Sequence, residues 1–224
     1  MSQREAKDAL FGALASVAKA LGNGRRAEIV DVLAQGERPV DELAAEISQS
    51  VANTSQHLHV LAEAGLVLGR RAGARVYYRL ASARVRELWA SVRDVAAEHV
   101  VSVDLLADAY LGERSQIERV SMDELAARLA RGSVVLLDVR PRPEYDAGHL
   151  PDAHSAPIDE LRGLMEQLPN GAEIMAYCRG PYCVYADDAV RLLRAAGRAA
   201  SRLDVGFPEW RGAGYPVALT ALTR

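Results

Sequence analysis

The spacing of the apolar residues changes in the middle of the chain, and this change constrains the fold more than any other feature. Up to about residue 100, apolar residues recur every three or four positions, as in helices, with one break. Beyond about residue 117, short and wholly apolar runs alternate with helical patterns, which is typical of an α/β domain with a mainly parallel sheet. We therefore predict a multidomain protein with a helix-rich domain over residues 1–100, a linker over 101–116 and an α/β domain over 117–224.

Composition limits where a nucleic acid could bind. Half of the 224 residues are hydrophobic, which is enough for two domains of ordinary size. The net charge of −3 provides no general basic field, so DNA binding would need a local basic patch. No apolar run approaches the roughly 18 residues of a membrane-spanning helix, and the N-terminus lacks a signal-peptide pattern. We expect a cytoplasmic protein that does not bind a membrane.

Two predicted helices, over residues 40–47 and 51–64, are separated by a short polar turn. In a helix-turn-helix the second helix enters the major groove of DNA. Its inward stripe is predicted to contain Val51, Thr54, Leu58 and Leu61. The other side carries side chains that can reach base edges or phosphates, namely Ser50, Asn53, Ser55, Gln56 and His57. The alternative for such a face is an ordinary solvated helix surface.

A predicted hairpin follows the second helix. Two strand-like runs, 66–71 and 75–80, flank a turn that contains Gly73. Arg70, Arg71 and Arg75 lie on or near this hairpin, as does Arg79, and no acidic residue occurs between positions 67 and 80. The pattern indicates a basic wing that contacts phosphates beside the groove helix, so the first domain is predicted to be an α-rich winged helix-turn-helix with an α+β wing.

The first half of the chain resembles the ArsR family of winged helix-turn-helix repressors. The residues that carry the resemblance are Thr54-Ser55-Gln56-His57-Leu58 and Tyr77-Tyr78-Arg79-Leu80, together with residues 26–30, 33–36 and 61–67. The resemblance implies a homodimer that binds operator double-stranded DNA of two-fold symmetry. In that family the first and last helices form the dimer interface, which here would be about residues 6–21 and 82–100.

Many members of that family sense metals or arsenite through cysteines, but this half contains no cysteine. Asp94 and His99 lie on the final helix, where some members bind zinc, yet the usual ligand set is incomplete. We therefore predict no metal site and no cofactor.

Both cysteines of the chain lie in one short loop, Cys178-Arg179-Gly180-Pro181-Tyr182-Cys183. A predicted strand precedes the loop and a predicted helix, over residues 184–196, follows it. Backbone N–H groups and the positive end of a helix dipole favour an anion at such a place, so a thiolate at Cys178 should have a lowered pKa. In a reducing cytosol, two cysteines five positions apart are more typical of reactive thiols than of a structural disulfide.

The second half resembles the rhodanese domain, a sulfurtransferase module of the α/β class. The matching residues are Leu137-Asp138-Val139-Arg140, Ala153, His154, Pro157, Tyr177-Cys178-Arg179-Gly180, Gly214-Tyr215-Pro216, and residues 144–151 and 206–210. The resemblance implies that Cys178 accepts a sulfane sulfur and carries it as a persulfide.

The neighbours of Cys178 can act in the chemistry or in the scaffold. Arg179 lies inside the loop, where a guanidinium can hold thiosulfate or steady the thiolate, or can serve only as scaffold. Asp138, Arg140, Glu144 and His149 are predicted to be structural. Trp210 is predicted to pack in the core.

The loop length separates sulfur chemistry from phosphate chemistry. A related fold carries phosphatases with a Cys-x5-Arg loop, but position 184 is Val184, so the phosphatase and arsenate-reductase interpretations lose their key residue. The loop instead keeps the sulfurtransferase spacing and ends on Cys183. Two interpretations of Cys183 remain: a second thiol that forms a disulfide or short polysulfide bridge with Cys178, or a small residue buried at a helix start.

We predict a transcriptional repressor that senses a sulfane-sulfur donor through Cys178, with Arg179 and Cys183 as further candidates at the reactive site. A sulfurtransferase that uses its first half to dimerise is one alternative, and sulfurtransferase activity that serves sensing is compatible with either. An arsenite sensor using Cys178 and Cys183 is another.

Overall fold

The computed structural model describes residues 1–132 and 134–220. The chain divides into two compact units, Met1–Asp94 and Val95–Arg224, which are described separately. No helix within the described residues combines the length and the apolar character needed to cross a bilayer.

The first unit contains five helices and a small antiparallel sheet. The helices are α1 (Gln3–Leu21), α2 (Gly24–Gln35), α3 (Val40–Glu46), α4 (Val51–Glu63) and α5 (Ala83–His99), whose last residues belong to the second unit. The strands are β1 (Arg38–Pro39), β2 (Val67–Ala72) and β3 (Arg75–Leu80), in the order β1-β3-β2. The predicted helix-turn-helix and hairpin are therefore confirmed.

Polar residues fix where these helices begin. Ser2 and Glu5 form a capping box at α1, and the Asn23 side chain accepts hydrogen bonds from two N–H groups at the start of α2. Ser50 caps the groove helix α4, because its Oγ accepts a hydrogen bond of 3.2 Å from the backbone N–H of Asn53. The hairpin turns at Gly73, whose φ of 61° is in the left-handed region that glycine adopts without strain.

The core of the first unit forms where the apolar stripes of α2, α3 and α4 meet the wing. Thr54, Leu58 and Leu61 are fully buried, as predicted. The prediction was wrong for Val51, which is the first residue of α4 and is 48% exposed. Along α1, Leu10 and Leu14 have the spacing of a buried face but are exposed in the single chain.

The second unit alternates helices with strands. Its helices are α6 (Ser102–Leu111), α7 (Met122–Ala130), α8 (Arg142–Ala147), α9 (Leu161–Leu164), α10 (Val184–Ala195) and α11 (Phe207–Gly212), with a 3-10 turn at Met165–Gln167. Its strands are β4 (Arg119–Val120), β5 (Val134–Asp138), β6 (His154–Ser155), β7 (Glu173–Tyr177) and β8 (Ala200–Leu203). The sheet has the order β4-β8-β7-β5-β6, and every neighbouring pair is parallel, which confirms the predicted α/β class.

Successive residues of the central strands pack on opposite faces of this sheet. Leu137 and Ala176 face one core with α10, whereas Leu136 and Met175 face another core that contains Trp210. Burial on both faces explains why these strands are wholly apolar. The predicted helix over 160–168 is instead a short α9 followed by the 3-10 turn, and Gly163 in its middle weakens a longer helix.

Candidate functional site

The loop that carries both cysteines lies at the carboxyl end of β7, the middle strand of the sheet. It ends where α10 begins, with Cys183 at the N-cap position. The Cys183 N–H donates a hydrogen bond to the Gly180 carbonyl at 3.3 Å, and the Cys178 carbonyl accepts one from Phe207 N–H at 3.2 Å. The loop is therefore held both within itself and to the start of α11.

Gly206 lets the backbone before α11 lie directly against the loop. A Cβ at this position would come within 2.2 Å of the Arg179 carbonyl carbon and 2.3 Å of the Gly180 nitrogen. No side chain fits there without a backbone shift, so a glycine at 206 maintains the shape of the loop.

Cys178 is almost fully buried, yet its environment favours the thiolate. Burial raises the pKa of the thiol, but a hydrogen bond from the Cys183 side chain and the charge of Arg202 lower it. The backbone N–H groups of Gly180 and Ala186 lower it further, and the resulting pKa is about 7. The carbonyl oxygens of Gly180, at 3.8 Å, and Cys183, at 3.6 Å, can accept the proton of the neutral thiol. Both protonation forms are therefore accommodated near neutral pH.

Cys183 has the opposite tendency. Its hydrogen bond to Cys178 and its burial raise the pKa of its thiol well above the ordinary value. Of the two thiols, Cys178 therefore ionises more readily, and the neutral Cys183 thiol donates a hydrogen bond to it. Both cysteines are free.

Two charged residues behind the loop were not identified from the sequence. Arg202 on β8 and Asp187 on α10 are both fully buried, and Arg202 Nη1 lies 2.6 Å from Asp187 Oδ1. Arg202 Nη2 also donates to the Gly180 carbonyl at 3.3 Å, which brings a positive charge to the loop. Arginine within an otherwise buried strand was the only sequence signal for this arrangement.

Arg114 approaches the same carboxylate from the segment after α6. Its Nε lies 3.1 Å from Asp187 Oδ2, although not in hydrogen-bond geometry, and its Nη1 donates to the Pro181 carbonyl at 3.4 Å. Sequence reasoning assigned this segment only as a linker and gave Arg114 no role.

Arg179 forms an ion pair with Glu144 on α8. Its Nη2 lies 2.6 Å from Glu144 Oε1, its Nε donates to both carboxylate oxygens, and its guanidinium lies over the Tyr185 ring. In this state Arg179 joins the loop to α8, which limits its freedom to bind a substrate anion.

The remaining polar residues of the rhodanese-like motif brace the sheet. Arg140 and Asp138 form a buried ion pair, and Tyr177 Oη donates to Asp138 Oδ2 at 2.5 Å. His149 stacks on Tyr145 with ring centroids 3.7 Å apart. These contacts favour the structural interpretation of Asp138, Arg140, Glu144 and His149.

The polar face of α4 is accessible. Ser50, Asn53, Ser55 and Gln56 are exposed and His57 is half-buried. The Ser50 hydroxyl is occupied in capping α4, so it is less free than its neighbours to contact DNA.

The wing arginines differ in their partners. Arg70 forms an ion pair with Glu37, and Arg75 Nη2 lies 3.0 Å from Asp41 Oδ2. Arg71 is exposed, with only a long hydrogen bond of 3.4 Å from Nε to the Gly73 carbonyl. The wing has no acids of its own, but acids from the segment before α3 and from α3 itself lie beside it.

Comparison with known proteins agrees with this architecture. The sequence profile of bacterial regulatory proteins of the arsR family matches residues 23–68, and that of the rhodanese-like domain matches residues 121–213. The HTH-type transcriptional regulator Rv0324 of Mycobacterium tuberculosis is 47% identical over 215 residues, which cover 96% of this chain and 94% of that protein.

Two further relatives match one half each. A sulfurtransferase of Allochromatium vinosum is 28% identical over 102 residues, 45% of this chain and 94% of that protein. An NMR structure of a winged helix-turn-helix domain from Mycobacterium bovis, described as homodimeric, is 46% identical, with a TM-score of 0.41 over 45% of this chain and 91% of that one.

A winged helix-turn-helix unit joined to a rhodanese-like unit defines a class of two-domain DNA-binding transcriptional regulators. Since the similarity to Rv0324 extends over nearly the full length of both proteins, the chain belongs to the ArsR family of helix-turn-helix regulators, in a form that carries a C-terminal rhodanese-like domain.

Proposed function

We propose that this regulator is a repressor that binds its operator as a homodimer and loses operator affinity when Cys178 takes up sulfane sulfur. The observation that carries the proposal is a buried Cys178 thiol with a pKa of about 7, at the end of β7 and before α10. A thiolate is the nucleophile in sulfur transfer, so the site is ready to react at neutral pH.

The proposed loading step is a displacement at sulfur. The Cys178 thiolate attacks the outer sulfur of thiosulfate, a new S–S bond forms, and the old S–S bond breaks to release sulfite. The product is the persulfide anion on Cys178. With an inorganic polysulfide the same attack releases a polysulfide one sulfur shorter, and no oxidant or reductant is consumed in either case.

Dimerisation is supported by the apolar side chains that the single chain leaves exposed. Leu10, Phe11 and Leu14 are exposed on α1, and Leu88 and Val92 are exposed on α5. Apolar patches on terminal helices are typical of surfaces that a partner covers. We assign them to the subunit interface that the family resemblance implies.

DNA binding through α4 and the wing follows from the accessible polar groups. Asn53, Ser55, Gln56 and His57 have hydrogen-bonding side chains on the outer side of the second helix of the helix-turn-helix, the position that enters the major groove. Arg70, Arg71 and Arg75 supply the charge for phosphate contacts.

A sulfurtransferase role is the second candidate, because the second unit is similar to a sulfurtransferase over most of that protein's length. An arsenite sensor has less support, since the chain contains only two cysteines. The described residues contain no cluster of three or more His, Cys, Asp or Glu side chains that could hold a metal ion.

The proposal is tested by measuring loading and operator affinity on the same samples. After thiosulfate or polysulfide treatment, intact-mass analysis should show added sulfur that dithiothreitol removes. Cys178→Ser should abolish the addition, whereas Cys183→Ser should still accept the first sulfur. Gel shifts should show weaker operator binding by the treated wild type than by the untreated protein.

Two results would decide against the proposal. Sulfur that adds to Cys178→Ser but not to Cys183→Ser would mean that Cys183 is the nucleophile. Equal operator affinities of sulfur-treated and untreated wild type would favour the enzyme over the sensor.

A further inference from the structure

The segment that follows α6 is fastened to α10 by arginines. Arg191 on α10 donates to the carbonyl oxygens of Leu111 at 3.0 Å and Glu113 at 2.9 Å. Arg194 on the same helix donates to the Gln116 carbonyl. These side chains fix the backbone of residues 111–116 along the helix that starts at the sulfur loop.

The side chain of Arg114 extends from this segment toward Asp187 and the loop that carries the cysteines. Its side chain is only 18% exposed and lies between Asp187 and the loop. Asp187 receives Arg202 on one oxygen and Arg114 on the other. The same two arginines each donate to a loop carbonyl, Arg202 to Gly180 and Arg114 to Pro181.

This cluster contains one more positive charge than negative charge when Cys178 is neutral. Burial and the repulsion from Arg202 lower the pKa of Arg114, whereas Asp187 and an ionised Cys178 raise it. A buried cation that is short of negative charge is costly, so Arg114 is stabilised in place by an anion on Cys178.

We propose that the position of Arg114 depends on the charge at Cys178. Through Arg114, that charge affects residues 111–117, the segment that leads along the chain toward the DNA-binding unit. This proposal rests on the proposed sulfur chemistry at Cys178. A thiolate or a persulfide is anionic and keeps Arg114 in the cluster. A covalent bridge between Cys178 and Cys183 is neutral and releases Arg114, so that residues 111–117 are held less tightly.

The bridge forms from the persulfide without an added oxidant. The Cys183 sulfur attacks the Sγ of Cys178, the bond between that Sγ and the outer sulfur breaks, and a disulfide joins the two cysteines. The outer sulfur leaves as hydrosulfide and carries away the Cys183 proton. The negative charge thus moves from the site to the solvent.

Arg114 is suited to this task because of where it lies in the chain. Arg202 is fully buried on β8 and paired with the buried Asp187 of α10, so it has little room to move. Arg114 precedes the segment that matches the rhodanese-like family, residues 121–213, and directly follows α6. A change in its position therefore acts on chain that precedes the rhodanese-like segment.

The test compares full-length wild type with Arg114→Gln and Arg114→Lys, and uses Arg131→Gln as the control. Arg131 is exposed at the end of α7, which packs on the opposite face of the sheet from α10. Each protein is examined reduced and after polysulfide treatment, with the state of the cysteines verified by intact mass. The readouts are the pH profile of Cys178 alkylation, hydrogen exchange of residues 111–117, and operator affinity.

In wild type we expect the bridged form to exchange faster over residues 111–117 and to bind the operator on the order of tenfold more weakly. Arg114→Gln should exchange fast in both states, bind the operator equally in both, and alkylate only at higher pH. Arg114→Lys should restore the wild-type pattern, because it keeps the charge, and Arg131→Gln should match wild type.

Different failures have different meanings. If Arg114→Gln keeps the wild-type alkylation profile and the full operator response, Arg114 does not couple the charge at Cys178 to DNA binding. If wild type gains neither added sulfur at Cys178 nor a disulfide between Cys178 and Cys183, the proposed sulfur sensing is wrong. In that case a disulfide formed with diamide still tests whether neutralising Cys178 releases residues 111–117.

Discussion

Asp187 Oδ1 and Arg202 Nη1 lie 2.6 Å apart with no exposed surface on either side chain, directly behind the loop that carries Cys178. A buried ion pair gains little net stability, because the cost of removing both charges from water offsets their attraction. Its position here gives a second effect, since Arg202 also lowers the pKa of Cys178. The pair therefore belongs to the candidate site as well as to the core.

Loss of one partner from this pair should be strongly destabilising. We expect Asp187→Asn to lower the free energy of unfolding by about 3–5 kcal/mol, because it leaves Arg202 buried without a counter-charge. The matched control is Asp188→Asn, whose carboxylate is about half exposed and pairs with Arg191. That change should cost about 0–1 kcal/mol. Urea denaturation of both variants measures the difference, and equal losses would contradict the expectation.

Cys178 should react over an unusual pH range. With a pKa of about 7, its thiolate is present above neutrality and is lost as the pH falls, so iodoacetamide alkylation should slow about tenfold for each pH unit below the inflection. An inflection near 8.5, the ordinary value, would contradict this expectation. Cys183→Ala removes a hydrogen-bond donor to the thiolate, so the inflection should then move to higher pH.

The loop should depend on the glycine packed beneath it. Gly206→Ala places a Cβ within 2.2 Å of the Arg179 carbonyl carbon, so the backbone must move. We expect a loss of about 1–3 kcal/mol in stability together with a loss of sulfur uptake at Cys178. Gly212→Ala is the control, because a Cβ there meets nothing within 4 Å. Thermal melts and intact-mass loading assays should separate the two variants.

The groove helix should carry sequence discrimination. We expect Gln56→Ala or His57→Ala to weaken operator binding by about 1–3 kcal/mol if the residue contacts a base edge, and to leave binding to unrelated DNA unchanged. Titrations with both DNAs make the comparison. A uniform loss on both would assign the residue to the phosphates instead.

Arg71 should contribute differently from Gln56. Because it is exposed and only weakly hydrogen-bonded, we expect Arg71→Ala to weaken binding to all sequences and to reduce the dependence of log K on log salt by about one. Affinities measured across a salt series test this. An unchanged slope would remove Arg71 from the phosphate contacts.

The sequence predicted the elements whose signals are local. The hairpin around Gly73, the groove helix and the buried strands β5 and β7 all have strong periodicity or turn residues, and all are present. The short strands β4 and β6 were missed, because two residues carry no period and pair only through tertiary contacts. The helix α8 was missed because it is short and begins after Pro141.

The candidate site was predicted as far as the motif extends. Cys178 and Cys183 come together because they lie five positions apart in one loop, and spacing alone indicates this. Arg202 and Arg114 reach the loop from a strand and from the preceding segment, so only the folded sheet brings them together. The pairing of Arg179 with Glu144 joins positions 35 residues apart and could not be read from either position alone.

Because of the carboxylates beside it, the wing should attract DNA phosphates more weakly than its number of arginines indicates. A phosphate that approaches Arg70 or Arg75 must displace Glu37 or Asp41, so these acids act as an intramolecular competitor. Each exchange frees a carboxylate that recruits cations from solution, which cancels part of the counterion release that drives binding. On unrelated DNA, no base contacts offset the cost of displacing these acids. The regulator should therefore dissociate faster from unrelated DNA than from the operator. Glu37→Gln and Asp41→Asn should then lengthen residence on unrelated DNA more than on the operator.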